Sequence, residues 1–317
     1  MSKPRIAVIG AGKFGQNHVR HLSVHAGAEL VAVADPDASA RAQFPSVRCV
    51  ADYRELLGQI DCAVVAAPSS YHAEIGSVLL AAGIDVLMEK PIAEDAAGAR
   101  RLVELAAAHG RILQVGHLER FNPAVEALAS KINLPLFFEV HRLSAFTPRS
   151  LDIDVVLDLM VHDLDLLLAF TAQLPTAIHA AGIRVLSNKV DIANVRLEFA
   201  SGCVANLTAS RVSTEQVRKL RLFQPHEYHS LDFAKQELFS IQAGGLGGFQ
   251  FHHAPITKCD ALLAELNEFI ECVTTRKSPR VDGEAGCRAL DLAMAIIAKI
   301  EEHALIVEAT LAAHQAK

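Results

Sequence analysis

Apolar residues along the first third of the chain come in short unbroken runs. Arg5 to Ile9, Glu29 to Ala34, Ala63 to Ala67, Ile84 to Met88 and Arg111 to Val115 are such runs. A strand covered on both faces reads this way, so the runs predict a parallel sheet. Stretches of helical character lie between them, the first over Lys13 to His25. Two of these end on a glycine that leads into the next run, "LLAAGIDVLM" at Gly83 and "AAAHGRILQV" at Gly110. Glycine after a helix takes the left-handed conformation without a Cβ penalty. The repeated strand, helix, strand order predicts right-handed crossovers.

The pattern changes near residue 120. Phe137 to Ser144, Ala177 to Val185, Asn194 to Phe199 and Cys203 to Val212 alternate apolar with polar positions, and Lys219 to Gln242 continues in that style. "EFASGCV" predicts a hairpin turn, and "AGGLGG", Ala243 to Gly248, a loop. Helices are predicted over Lys258 to Thr275 and Gly283 to His303. The second part therefore reads as an α+β domain with a large, mainly antiparallel sheet. One face of such a sheet needs a cover: helices, the first domain or a second subunit.

A chain of 317 residues exceeds what one core usually fills, so two domains are expected. With 51% hydrophobic and 21% charged residues the chain has the balance of an ordinary globular protein. A net charge of −6 gives no reason to expect nucleic acid or an anionic membrane as partner. No apolar run is long enough to span a bilayer, and the N-terminus enters a strand without a signal segment. Cys49, Cys62, Cys203, Cys259, Cys272 and Cys287 are scattered without a CxxC pair. They read as reduced thiols, which points to the cytoplasm.

Four motifs carry candidate chemistry. In "VIGAGKFGQNH", Gly10, Gly12 and Gly15 form G-x-G-x-x-G between a strand and a helix. Gly10 permits the turn, Gly12 a close approach of pyrophosphate, and Gly15 tight packing of helix on strand. Lys13 and Phe14 fall in the same loop. Asp35 ends the next strand, 20 residues after Gly15, where a carboxylate takes the ribose hydroxyls. These features define a Rossmann domain over 1–120 and favour NAD, with Arg41 the nearest guanidinium to a 2′-phosphate. In "DVLMEKPIAED", Glu89 and Lys90 follow a buried strand, at the sheet edge where ligands bind. In "APSSYH", Pro68, Ser69 and His72 follow another strand and are expected on the nicotinamide side. Ser69 or Ser70 is alternatively a helix cap.

The fourth motif, "DVVLDLMVHDLDLLLAF", is apolar nearly all round and predicts a buried helix. Asp158, His162 and Asp165 stand at i, i+4 and i+7 on one face. They form either a catalytic set or a structural network with His162 bonded to Asp165, and the residues alone leave both open.

Taken in order, GAGKFG, Asp35, APSSYH, EKP and D-x-x-x-H-x-x-D resemble the Gfo/Idh/MocA oxidoreductase family over essentially the whole chain. The resemblance implies a C-terminal domain, 121–317, for substrate binding and oligomerisation. It also implies that Lys90 contacts nicotinamide and substrate, with Asp158 and His162 at the substrate. "VGHLERFNPAVEAL", "PRSLDIDVVLDLMVHDLDL", "ASRVS" and "RKLRLFQ" further resemble a branch acting on UDP-N-acetylglucosamine. That branch oxidises the C3 hydroxyl to a ketone on the way to a 2,3-diamino sugar of lipid A. His117, Arg120, Arg149 and Arg211 are then candidates for the diphosphate. The remaining histidines have no partners at metal-ligand spacing, and no metal is expected. An inositol, polyol or other sugar dehydrogenase of the same family stays open, as does a non-catalytic NAD-binding regulator. A homodimer or homotetramer is expected from the open sheet.

Overall fold

A computed structural model describes residues 3–146, 153–244 and 248–315. The chain forms two compact units, residues 1–118 with 260–290, and residues 119–259 with 291–317. The crossing near 120 falls where the hydrophobic pattern changes. The segment from Asp260 to Leu290, expected in the second domain, belongs instead to the first unit. Its helix supplies Leu266, Phe269 and Ile270 to the core of the first sheet.

The first unit holds a six-stranded sheet, built from β1 (Arg5–Ile9), β2 (Glu29–Ala34), β3 (Cys49–Val50), β4 (Cys62–Val65), β5 (Asp85–Glu89) and β6 (Leu113–Gly116). The order is β3-β2-β1-β4-β5-β6 and every pairing is parallel. This is the doubly wound arrangement, with its topological switch between β1 and β4. One face is covered by α1 (Lys13–Leu22) and α7 (Ala261–Thr275). Ile6, Val8, Val33, Val64 and Leu87 pack in one cluster with Val19, Leu22, Leu266, Phe269 and Ile270. On α3 (His72–Ala81) Leu79 and Leu80 are buried, as is Leu102 on α4 (Ala96–Ala108). Gly83 and Gly110 close these two helices at φ +81° and +59°. The two-residue β3 was not predicted, being too short to show a pattern.

The second unit holds an eight-stranded sheet in the order β14-β13-β12-β11-β7-β10-β9-β8. Its strands are β7 (Phe137–Leu143), β8 (Pro175–Ile183), β9 (Ile192–Phe199), β10 (Val204–Ser210), β11 (Val217–Gln224), β12 (Glu227–Asp232), β13 (Glu237–Ala243) and β14 (Phe249–His253). All pairings are antiparallel except β7 with β10. The hairpin between β9 and β10 turns at Gly202, φ +84°. Alternate residues such as Phe138, Val140, Val195, Leu207 and Leu220 form the core face. That face packs on α5 (Pro123–Ala129), α6 (Val161–Thr171) and the middle of α8 (Gly283–Gln315), from Leu292 to Ile300. The opposite face carries polar cross-strand pairs, among them Asn194 with Thr208 and Arg221 with Glu139. Opposed polar partners suit a sheet face not buried in the core of its own unit.

Candidate active site

The glycine loop sits at the carboxyl end of β1. Gly10 has φ +96°, and a Cβ there would lie 2.6 Å from backbone atoms of Ala66 and Ala67. A Cβ on Gly15 would lie 1.8 Å from the Gly10 oxygen, so only glycine brings α1 this close to the strand. Gly12 is different: a Cβ there would meet nothing within 4 Å. Gly12 is also the N-cap of α1, with no side-chain cap and no acid in the first turn. Lys13 and Phe14 are exposed beside it. The helix therefore offers open amides and the positive end of its dipole to an anion.

Asp35 follows β2 directly. Its carboxylate accepts from the Ala11 amide at 2.7 Å and the Asp37 amide at 2.8 Å, which fixes it against the glycine loop. Arg41 donates to the Asp35 and Pro36 carbonyls at 2.6 and 2.9 Å, so its guanidinium is tied to the chain just beyond the acid. A pyrophosphate cradle beside a fixed carboxylate fits a dinucleotide whose ribose keeps its 2′-hydroxyl.

The other candidates of this unit also follow strand ends. Pro68 and Ser69 come after β4, Lys90 after β5, and His117 after β6. Pro68 is exposed, Ser69 and Lys90 are half-buried, and His117 is buried. Ser69 to Tyr71 form a short 3-10 turn, and neither Ser69 nor Ser70 caps the helix that follows. His72 is buried, with ring nitrogens 2.8 Å from the Ala67 and Pro91 carbonyls. Burial pushes its pKa down against those two hydrogen bonds. Its place is thus a tie between two strand-end loops, not the cofactor surface expected of it. Glu89 is likewise turned inward, with Oε1 2.8 Å from His18 Nε2. Nothing in the sequence motifs assigns His18 a role. Its signal was position: with Gly15, Val19 and Leu22 it lies on the buried side of α1.

In the second unit the helix carrying the Asp/His motif begins as a π-helix, Val156–Met160, and continues as α6. Insertions of this kind are rare and recur at functional sites. The wider turn breaks the expected single stripe. Asp158 and His162 are half-buried, whereas Asp165 is buried and accepts from Arg120 Nε at 2.8 Å. Of the two readings left open, the structural one would bond His162 to Asp165; Asp165 instead pairs with Arg120. Asp163, which the motif reading passed over, is also buried and meets Arg142 of β7 at 2.7 and 2.8 Å. Arg142 reaches Glu119 as well, at 3.0 Å. Burial works against the Arg142 charge, but Asp163 and Glu119 outweigh it and raise its pKa.

Arg211 is 4% exposed, and its nitrogens donate to Asp191, the Ile153 carbonyl and Ser187 at 2.8 to 3.0 Å. This corrects the expectation that it holds a diphosphate, because a fork so engaged inside the unit is a structural group. Arg149 lies outside the described residues.

A glycine cradle, a fixed carboxylate and a lysine at the strand ends define a dinucleotide-dependent oxidoreductase. Residues 4–117 match the model of the oxidoreductase family with NAD-binding Rossmann fold, and residues 136–223 match the GFO/IDH/MocA C-terminal domain. The chain is 34% identical over 306 residues to UDP-N-acetylglucosamine 3-dehydrogenase from Acidithiobacillus ferrooxidans, covering 94% of this chain and 97% of that one. It superposes on the structure of that enzyme with a TM-score of 0.90, at 33% identity, covering 96% and 99% of the two chains. Inositol 2-dehydrogenase of Rhizobium meliloti is 26% identical, over 94% of this chain and 97% of its own. The chain belongs to the Gfo/Idh/MocA family of NAD-dependent oxidoreductases.

Proposed function

We propose that this protein oxidises the C3 hydroxyl of UDP-N-acetylglucosamine to the 3-keto sugar with NAD. The observation that carries the reading is the end-to-end likeness to a UDP-N-acetylglucosamine 3-dehydrogenase. The motif residues Lys90, Asp158 and His162, and the NAD-compatible loop with Asp35, accord with it. NAD held by the glycine loop and Asp35 would supply the hydride acceptor for the carbinol carbon.

The chain's own residues handle the rest. Gly10, Gly12 and Gly15, with the amides of Lys13 and Phe14, hold the pyrophosphate, and Asp35 holds the ribose. Pro68 and Ser69 flank the nicotinamide side. His162 removes the hydroxyl proton as general base, a role an imidazole suits near neutrality. Lys90 as ammonium hydrogen-bonds the same oxygen and stabilises its developing charge. Asp158 orients the substrate or His162. His117, Arg120 and Arg149 are the remaining candidates for the diphosphate. A 3-keto sugar is a substrate for transamination, which fits supply of a 2,3-diamino sugar for lipid A. The six free cysteines fit a reducing cytoplasm. Among the described residues no helix is long and apolar enough to cross a membrane. The polar face of the eight-stranded sheet is the surface for a homodimer or homotetramer.

NADH formation on adding UDP-N-acetylglucosamine, with myo-inositol and free glucose as controls, tests the reading. Turnover with inositol but not the nucleotide sugar would assign the chain to the inositol branch. NAD binding without turnover of any of them would leave a regulator. His162→Asn and Lys90→Ala should each lower kcat by roughly 10²–10⁴-fold. A loss of only a few fold would remove that residue from the chemistry.

A further inference from the structure

Glu89 ends β5 immediately before Lys90, and its carboxylate lies in the interior of the first unit. Oε1 takes the Nε2–H of His18 at 2.8 Å, and Oε2 is 3.3 Å from the Lys90 amide. A Cβ on Gly116 would stand 2.9 Å from Oε2, so the last residue of β6 must be small for the carboxylate to fit. Glu265 of α7 completes the group. One atom each of His18, Glu89 and Glu265 lie within 4.8 Å of one another. Glu265 is 0% exposed, and neither of its oxygens has a hydrogen-bond partner. Gln114, also fully buried, donates to the Glu265 carbonyl at 3.2 Å, and its own Oε1 is unpartnered.

Two carboxyls in one dry pocket cannot both ionise without a large penalty. The titratable groups facing Glu265 are His18 of α1, Glu89 at the end of β5 and Glu268 one turn along α7, while Lys90 acts on Glu89. His18 and Lys90 favour Glu89 as the ionised member. On Glu265 the charges that act are the like ones of Glu89 and Glu268.

We propose that Glu265 is a positioning residue for Lys90: it stays a neutral acid against Glu89, so that Glu89, held by His18, alone carries negative charge beside the lysine. The electrostatics agree with this placement. Burial, then the Glu89 charge, then Glu268 raise the Glu265 pKa well above the ordinary carboxylate range. Glu89 is also penalised by burial, yet His18 and Lys90 bring its pKa below the usual value. The unit thus keeps one negative charge next to the Lys90 ammonium. The protonation state of Glu265 stands by itself; its importance for turnover rests on the catalytic role of Lys90 proposed above.

The test uses the full chain and the variants Glu265→Gln and Glu265→Ala. Infrared spectra of the wild type at neutral pH should show the carbonyl stretch of a buried protonated carboxyl, and Glu265→Gln should lose it. An acid with a raised folded-state pKa contributes stability in full below its unfolded pKa and loses it as pH rises through the folded value. The wild-type melting temperature should therefore fall with pH across that window, and that of Glu265→Gln should not. The amide of Glu265→Gln is neutral and matches the acid in size, so kcat should stay within a few fold of wild type. Glu265→Ala should lose at least tenfold in kcat with little change in KM for NAD.

No protonated-carboxyl band at neutral pH would overturn the proposal. So would a Glu265→Gln variant as impaired as Glu265→Ala, or a stoichiometric metal in the purified protein that Glu265→Gln removes. The spectra and melting curves need no sugar, so they stand or fall separately from the substrate assignment. They also decide the matter if Glu265→Ala does not fold.

Discussion

In the second unit the buried aspartates 163, 165 and 191 each meet an arginine, Arg142, Arg120 and Arg211, at 2.7 to 2.8 Å. The first unit follows the same rule at Asp85, which pairs with Arg276, but departs from it at Glu89 and Glu265. There one carboxylate meets a histidine and the other meets another acid. The difference follows from what each region has to do. Arg142–Asp163 ties β7 to α6, Arg120–Asp165 ties α6 to the turn before α5, and Arg211–Asp191 ties the residue before β9 to the residue after β10. The glutamate pair lies beside the half-buried Lys90, and the charge of Glu89 is met by His18 and this lysine rather than by an arginine. Compensated charge gives fixed packing; incompletely compensated charge next to a strand end gives chemistry.

Breaking the arginine side of this contrast should have the largest effect on stability. Arg142→Met leaves Asp163 and Glu119 without their shared cation and should cost about 3–5 kcal/mol by denaturant unfolding. Arg142→Met with Asp163→Leu should recover part of that loss. If the double variant is no more stable than the single one, pairing is not what Arg142 contributes. On the cofactor side, Asp35→Ala removes a charged acceptor worth about 1.5–3 kcal/mol. NAD affinity should fall roughly 10- to 100-fold. Binding of NADP should not fall in step, since the carboxylate that repels a 2′-phosphate is gone. Fluorescence titration with both dinucleotides checks this.

The smallest effect is one of pH. Burial works against the Asp191 charge, yet hydrogen bonds from Ser187, Arg211 and the amides of residues 186 and 185 hold its pKa below the ordinary value. A depressed carboxylate contributes stability above its unfolded pKa and loses it as pH falls through the folded one. Asp191→Asn should therefore flatten the acid side of the stability curve and narrow its gap to wild type at low pH. This is opposite in sign to the behaviour expected of Glu265, so a pair of melting series separates the two kinds of buried acid.

The first unit was the more legible in sequence because its ligand site is made of local motifs. Gly10 to Gly15 and Asp35 act through backbone geometry over a few residues, and strand ends mark where Lys90, Pro68 and Ser69 stand. His18 and Glu265 could have been noticed as polar residues on otherwise apolar helix faces, but nothing local says that they meet, 247 positions apart. Arg211 was read as a phosphate ligand because an arginine's motif carries no information on which acid it faces. The stripe of Asp158, His162 and Asp165 assumed a regular helix, but the helix opens with a π turn at Val156–Met160, and Asp165 is buried against Arg120 while Asp158 and His162 are half-buried.

Composition and hydrophobic period by themselves determined the α/β first sheet, the mainly antiparallel second sheet and the dinucleotide loop, since each follows from interactions over one turn or one strand. Tertiary structure alone decided that Asp260 to Leu290 returns to the first unit, which arginine neutralises which aspartate, and that Glu89 faces His18 and Glu265. Those are contests among distant groups for a few buried partners, and the energy of a buried charge depends on what surrounds it in space.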